Sequence, residues 1–448
     1  MDNQIKNVNL REIVLDILTE INDKKEFSHI LINNALTKYQ YLDKNQRAFI
    51  SKLSLGTIER KIELDYIINQ FSKTPVKKMK PLIRNIVEMA VYQIMYMESV
   101  PDSAACNEAV KISVKRGFTG LKGFVNGVLR NIARNKECIE YPDVNENWEE
   151  YVSIKYSMPK WIVEMWEKQF DKDSVENILK GMNGDRKTYI RCNTSKMAAG
   201  DIKQVLIKEG VTVKDVDGIG YAYEISDYDY LAALKSFNDG LYFVQDISSM
   251  MAGELAAPKA DDFVIDVCGA PGGKSANAAL KIMENAHISG KETFSGRVIS
   301  RDVSEYKVNL IRENINRLGI TNVEPQVADA LVKDESLIGK ADVLIADLPC
   351  SGLGVMGRKP DIRYNVSAEQ LEDIVKLQRD ILKVVCGYVK PKGVLVYSTC
   401  TINKNENDNN ADWICREMGF EKDGEYVTIL PDSKKDTDGF FVARLIKK

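Results

Sequence analysis

The most constraining stretch of the chain is Phe263-Val264-Ile265-Asp266-Val267-Cys268-Gly269-Ala270-Pro271-Gly272-Gly273-Lys274-Ser275. It opens as a short apolar run, the pattern of a strand buried on both faces. It then breaks into a glycine-rich turn and resumes as helix-compatible sequence from Ala276 to Met283. Strand, glycine turn and helix form the ligand-cradling unit of doubly wound α/β folds. The glycines let the backbone approach a ligand closely, and the N–H groups of the helix face it. A plain tight connection has the same outline, so the rest of the chain must decide between the two readings.

From about residue 236 onward, strand and helix patterns alternate. Strands are expected at 263–268, 297–302, 323–328, 341–346 and 393–398, with helices at 273–285, 304–318 and 370–389. The tail around Asp438 to Leu445 reads as a closing strand. Such alternation predicts a parallel sheet covered on both faces. Ligands in these sheets bind outside the carboxyl ends of the strands. Read at those ends, the sequence offers Cys268 with the glycine loop, then Asp302, Asp329, Asp347 and Cys400. Any one acidic residue there is an ordinary helix cap, but a carboxylate or thiol at one strand end after another is a pattern. Asp302 suits ribose hydroxyls. It lies further from the loop than the roughly 20 residues of a dinucleotide fold, and Met283 to Phe294 reads as an inserted polar loop that makes up the excess.

A chain of 448 residues is long for one core and predicts two or three domains. Residues 1–140 carry helical stripes and no competing strand alternation. Ile13, Val14, Ile17, Leu18 and Ile21 form one stripe, and Leu64, Ile67, Ile68 and Phe71 another. Leu82, Ile83, Ile86, Val87 and Ala90 follow Pro81, and Phe124, Val125, Val128, Leu129 and Ile132 close the series. An all-α domain is therefore expected over 1–140, a linker near 137–147, a small α/β domain over 148–235, and an α/β domain over 236–448. In the small domain Tyr189 to Asn193 is strand-like, either an edge strand with an exposed Arg191 or something more specific.

Two histidines exclude a multi-histidine metal centre, so no metal is expected. The eight cysteines form no C-x-x-C pair, no apolar run reaches spanning length, and the N-terminal stretch lacks a signal-peptide core. A reduced, cytoplasmic setting without membrane attachment is the expectation, and no obligate protein partner is evident. The net charge of −3 is uneven: over 1–140, Lys and Arg outnumber Asp and Glu 22 to 16, a surplus of six, which leaves −9 for the remainder. Lys77, Lys78, Lys80 and Arg84 cluster at one helix start, and Lys111, Lys115, Arg116, Lys122, Arg130 and Arg134 follow. These are either solvated faces or phosphate contacts.

The glycine loop resembles the C-A-A-P-G-G-K loop of the NSUN/Sun (RsmB-type) family of RNA 5-methylcytosine methyltransferases, with Gly269 where the family usually has Ala. Asp347-Leu348-Pro349-Cys350-Ser351-Gly352 resembles its D-A-P-C-S-G motif, with Leu348 for Ala, and Thr399-Cys400-Thr401 its T-C-S motif. Arg191-x-Asn193 matches its R-x-N phrase. Ala90-Val91-Tyr92-Gln93-Ile94, Asn107-Glu108-Ala109-Val110 and Phe124 to Arg130 resemble the NusB-like RNA-binding domain at the N-terminus of its bacterial ribosomal RNA members.

The resemblance implies a NusB-like bundle, a small α/β domain and a Rossmann-like methyltransferase domain. The cofactor so implied is S-adenosylmethionine (SAM), lined by Cys268, Gly269, Ala270, Pro271, Gly272, Gly273, Lys274, Asp302, Asp329 and Asp347. It implies Cys400 as nucleophile, Cys350 as the thiol that assists release, and Asp347 at the cytosine edge. The substrate would be a cytidine of small-subunit (16S) ribosomal RNA, unassembled or partly assembled. Two thiols have a chemical rationale. Cytosine C5 is a weak nucleophile until a thiolate adds at C6, and after methyl transfer that thiol must be expelled. A DNA cytosine methyltransferase, whose nucleophile follows proline as Cys350 does, would leave Cys400 unexplained. A non-catalytic RNA-binding factor would leave both thiols and Asp347 unexplained.

Overall fold

The computed structural model describes residues 8–24, 27–184, 186–291, 293–432 and 437–448. It divides into two compact units, one running to Asn183 and taking in Met356–Asn365, the other comprising Gly184–Val355 and Val366–Lys448.

The first unit is helical. Helices Leu10–Lys24, Ser28–Lys38, Lys44–Glu59, Lys61–Phe71, Pro81–Tyr96, Asp102–Lys115 and Lys122–Arg134 surround one core. Each apolar stripe of the sequence turns inward: Val14, Leu64, Ile67, Ile68, Ile86, Val87, Val125 and Leu129 are fully buried. Pro81 opens the central helix, where its missing N–H costs nothing, and residues 83 and 85–94 of that helix are buried. Gly56 passes so close to the Tyr92 ring that a Cβ could not fit.

The expected linker near 137–147 is instead packed on this unit. Tyr141 stacks on Tyr66, with ring centroids 6.1 Å apart, and its hydroxyl donates to the buried Glu63 at 2.7 Å. Helices Trp148–Lys155, Lys160–Glu167 and Lys172–Met182 continue the same unit. The division between units therefore falls inside the 148–235 segment. The segment Met356–Asn365 also belongs here: the fully buried Arg363 donates to the carbonyls of Glu59, Tyr156 and Ser157 at 3.2–3.3 Å.

The second unit holds two sheets. The smaller contains β1 (Thr188–Cys192), β2 (Thr212–Asp215), β3 (Ala222–Ser226) and β4 (Tyr242–Val244), antiparallel in the order β2-β3-β1-β4. Strand β1 is thus interior, and Arg191 is fully buried, with its guanidinium 4.4 Å from the Tyr221 ring. Asn193, also buried, donates to the carbonyls of Gly240 and Leu318 at 2.9 and 2.8 Å. The sequence phrase around Arg191 and Asn193 is a packing device.

The larger sheet contains β5 (Phe263–Asp266), β6 (Arg297–Asp302), β7 (Val323–Val327), β8 (Ala341–Asp347), β9 (Val389–Thr399), β10 (Phe420–Lys422), β11 (Val427–Ile429) and β12 (Phe440–Lys447). The order is β10-β12-β9-β8-β5-β6-β7, with β11 pairing β12. Strands β5 to β9 are parallel and β12 runs antiparallel to β9. Successive residues feed opposite cores. Ile265, Ile299 and Leu344 face helix Ala368–Val385, while Val264, Val298 and Val343 join Leu280, Ile311 and Ile315 on the other side. Pro325 sits in β7 at the sheet edge, where a missing N–H is tolerated.

Helix Gly273–Ile288 extends beyond the expected end near 285 and absorbs the first half of the expected loop over 283–294; the irregular stretch begins at Ser289. Ile282 and Ala286 keep that last turn packed, so the helix continues despite the polar residues between them. His287, expected in a loop, lies in this last turn and is exposed.

Candidate active site

The strand order reverses at β5, with β6 on one side and β8 on the other, and at this switch point the carboxyl ends open a crevice. A cavity of about 430 Å³ lies there, lined by Cys268, Ala270, Asp302, Asp329, Asp347, Cys350 and Cys400. Seven residues singled out by sequence, on five strand ends or the loops after them, thus converge on one space.

The glycine loop is held by backbone bonds. Gly269 N–H donates to Arg301 O at 2.7 Å and Gly272 N–H to Gly269 O at 2.6 Å. Gly272 has φ +104°, a left-handed conformation that side chains resist, and it begins helix Gly273–Ile288. The Ala270–Pro271 bond is cis. A Cβ at position 269 would run into Ser300 Oγ, which itself bonds Ser275 Oγ at 2.7 Å. Glycine at 269, unusual beside the sequence pattern it resembles, is therefore matched to a serine at 300. Gly269, Pro271, Gly272, Gly273 and Lys274 shape the loop without lining the cavity.

Asp302 ends β6. Its Oδ2 accepts from Ala270 N–H at 3.2 Å, and Lys307 Nζ lies 3.2 Å from its Oδ1. Asp329 is exposed at the rim and accepts from Leu331 N–H at 2.9 Å. Asp347 is held on both oxygens, by Lys274 Nζ at 2.7 Å and Ser398 Oγ at 2.7 Å. Burial works against the Lys274 charge, but Asp347, with Asp266 and Cys400 behind it, overrides this and holds the lysine pKa above its ordinary value. Burial pushes the Asp266 carboxyl up to about 7, against the bond from Ser275, with Asp347 adding to the rise.

Cys350 and Cys400 meet with their sulfurs 3.2 Å apart. The hydrogen bond with Cys400, followed by burial, holds the Cys350 thiol well above its ordinary pKa. Leu348, also in this turn, is 3% exposed; it packs into the core and at the same time lines the cavity.

Several site residues carried no signal in the sequence. Val303, Leu331, Leu377 and Ile381 supply apolar walls. Lys307 is visible only once the first turn of helix Glu305–Leu318 brings it back over Asp302. Glu406, in a polar run that reads as a solvated loop, accepts from both the N–H and the hydroxyl of Ser351, beside Cys350.

Among curated proteins the chain is 32% identical to the probable ribosomal RNA small subunit methyltransferase B of Bacillus subtilis, over 99% of this chain and 100% of that protein. Residues 254–446 match the 16S rRNA methyltransferase RsmB/F family. The chain belongs to this family. Residues 8–134 match the NusB family and 158–226 the ferredoxin-like domain of RsmF/B-like methyltransferases. The Synechocystis protein named probable ribosomal RNA small subunit methyltransferase B is 29% identical over 98% of this chain and 100% of its own length. The crystal structure of PH0851 shares the fold at a TM-score of 0.79 and 23% identity, covering 99% of each chain. That of NSun6 from Pyrococcus horikoshii with SFG does so at 0.56 and 23%, over 64% of this chain and 98% of that one.

As a member of the RsmB/F family the chain is a SAM-dependent RNA methyltransferase. The residues present fit that cofactor: a carboxylate at the end of β6 for a ribose, apolar walls for a flat base, and a loop whose backbone approaches closely. Among the described residues there is no cluster of three or more His, Cys, Asp or Glu that would hold a metal ion, and no helix long and apolar enough to cross a membrane.

Proposed function

We propose that the chain methylates C5 of a cytosine in small-subunit ribosomal RNA through a covalent Cys400–C6 adduct. The observation that carries this reading is the pair of thiols, 3.2 Å apart, opening with Asp347 onto the cavity of the glycine loop. Single-thiol chemistry would need only one of them.

The steps follow from the groups present. Cys400 Sγ attacks C6, forming an S–C bond and moving the C5=C6 electron pair toward C5. Cys400 attacks as its thiolate, the nucleophilic form of a thiol. Asp347, fixed by Lys274 and Ser398, presents an acceptor to the exocyclic amine of the cytosine. Bound SAM supplies an electrophilic methyl group on a sulfonium. Once C5 carries the methyl group, its proton passes to solvent water, the C5–H electron pair rebuilds C5=C6, and the C6–S bond breaks with its pair returning to Cys400. Cys350, kept close by, serves that release. Asp302 and Asp329 with the backbone of Cys268–Ala270 would hold the cofactor, Asp302 on its ribose. The base has to be unpaired to reach the cavity.

The NusB-like bundle is the RNA-binding part in this reading. Its basic residues are not equivalent. Lys111 pairs with Glu108, Lys115 with Glu12, Arg116 with Asp16, and Arg84 with Asp65 and Glu88. Lys77, Lys78, Lys80, Lys122, Arg130 and Arg134 are exposed and form no ion pair among the described residues, which leaves them available to phosphate.

The test is transfer of a labelled methyl group from SAM to small-subunit ribosomal RNA, followed by digestion to nucleosides. Label in 5-methylcytidine is expected. Label in a ribose-methylated or ring-nitrogen-methylated nucleoside would overturn the reading.

A further inference from the structure

Glu406 is fully buried, six residues beyond Cys400, and does not line the cavity. Its carboxylate gathers four donors. Ser351 Oγ and Asn403 Nδ2 reach Oε1 at 2.6 and 3.1 Å; Ser351 N–H and Gln378 Nε2 reach Oε2 at 2.8 and 3.3 Å. Three of the four donations come from residues tied to the Cys350 turn, two from Ser351 and one from Gln378. Ser351 follows Cys350, and Gln378 also donates to the carbonyl of Pro349, the residue before Cys350, at 2.9 Å. Ser351 Oγ lies 2.9 Å from Thr401 Oγ1, and Thr401 follows Cys400. One carboxylate therefore brackets the Cys350 turn on both sides and ties it to the Cys400 loop. Burying an acid is costly, and burial raises the Glu406 pKa against the bonds from Ser351, Asn403 and Gln378. A carboxylate is the side chain that accepts on both oxygens at once, and charged acceptors make the stronger bonds.

We propose that Glu406 is a positioning residue for Cys350, holding its thiol at the distance from Cys400 that adduct release requires. The inference rests on the roles given to the two thiols above. Glu406 does not line the cavity. Its effect should therefore appear in the step Cys350 serves and spare the step Cys400 serves.

The experiment is a time course on denaturing gels with labelled small-subunit ribosomal RNA and SAM, using the full chain. It compares the parent, Glu406→Gln, Ser351→Ala, Cys350→Ala and the double variant of Glu406→Gln with Cys350→Ala. A carboxamide can accept only the two donors on one oxygen, so Glu406→Gln leaves two donors unmet. We expect Glu406→Gln to form the methylated adduct at the parent rate but release it roughly tenfold more slowly, with SAM affinity unchanged. Ser351→Ala keeps the backbone bond and loses the hydroxyl; it should lengthen adduct lifetime about threefold, and it decides the matter if Glu406→Gln does not fold. The double variant should match Cys350→Ala, as residues acting through one another do. Adduct persisting in Cys350→Ala but cleared at the parent rate in Glu406→Gln and Ser351→Ala would overturn the inference alone. Formation slowed as much as release, or an additive loss in the double variant, would reduce Glu406 to general packing and also overturn it. No adduct in Cys350→Ala would overturn the thiol roles and this inference with them.

Discussion

The sulfurs of Cys350 and Cys400 lie 3.2 Å apart although 50 residues separate them in the chain. Adjacent parallel strands produce that meeting. In the β8–β9 register Asp347 pairs with Ser398, so the two loops leave the sheet side by side. Gly354 N–H donates to Cys400 O at 3.1 Å, and a Cβ at Gly354 would collide with the carbonyls of Cys400 and Gly439. Sheet register and a close backbone crossing thus bring the two loops side by side, and the Glu406 bonds to Ser351 fix the Cys350 turn within that frame.

Cofactor binding should depend on Asp302 and on the conformation of Gly272. Asp302→Ala removes a charged acceptor and frees Ala270 N–H, so SAM affinity should fall roughly tenfold or more. Gly272→Val forces a β-branched residue to φ +104° and should weaken binding comparably. Calorimetric titration checks both, with circular dichroism to confirm the fold. Unchanged affinity in both variants would remove the site assignment.

Gly269→Ala should destabilise the protein by about 1–3 kcal/mol, because the new methyl group meets Ser300 Oγ in a packed turn. Ser300→Ala in the same chain should recover most of that loss. Urea unfolding midpoints of the two single variants and the double variant measure the coupling. Additive effects would mean that Gly269 and Ser300 are not matched.

Asp266 ties stability to pH. Its carboxyl is pushed up to about 7 in the folded chain, above its unfolded value, so the folded state holds a proton that the unfolded state has released. Its contribution is present below the unfolded value of about 4 and is lost as pH rises toward about 7. Asp266→Asn should flatten the fall of stability across that window relative to the parent. Chemical denaturation at pH 5 and pH 8 measures it; an unchanged difference between the two pH values would contradict the assignment.

RNA affinity should respond to the unpaired cations of the bundle and hardly to the paired ones. Lys77→Glu, Lys78→Glu, Lys122→Glu and Arg134→Glu should weaken binding at low salt and lower the salt slope, since fewer counterions are released. Lys115→Glu, whose parent lysine already pairs with Glu12, should do less. Filter binding across a salt series checks the order. Equal effects from both groups would make the bundle a diffuse positive surface.

What could be read in the sequence was what is local. The apolar runs Phe263–Asp266 and Ala341–Asp347 are strands because consecutive residues feed opposite cores, a pattern visible in a few positions. The strand-end residues Asp302, Asp347 and Cys400 reach one crevice because parallel strands all end on the same side. What escaped depends on pairs distant in the chain. Tyr141 turns a linker-like stretch into a docked one through Glu63, 78 residues earlier. Arg191 is buried because β4 covers the far side of its strand. Glu406 lies in a polar run, Asn403 to Asn410, that reads as a solvated loop until Ser351 arrives from 55 residues upstream.

The central claim is that Cys400 makes the adduct and Cys350 is needed to release it. Its most direct test is a denaturing gel of labelled small-subunit ribosomal RNA incubated with SAM and each cysteine variant. Cys400→Ala should abolish turnover and every covalent protein–RNA band. Cys350→Ala should slow turnover and accumulate a denaturant-resistant methylated adduct. The double variant should behave as Cys400→Ala alone, because no adduct forms without the first step. Adduct in the Cys400→Ala lane and none in the Cys350→Ala lane would reverse the two roles. Methylation persisting in both variants without adduct in any lane would contradict thiol catalysis altogether.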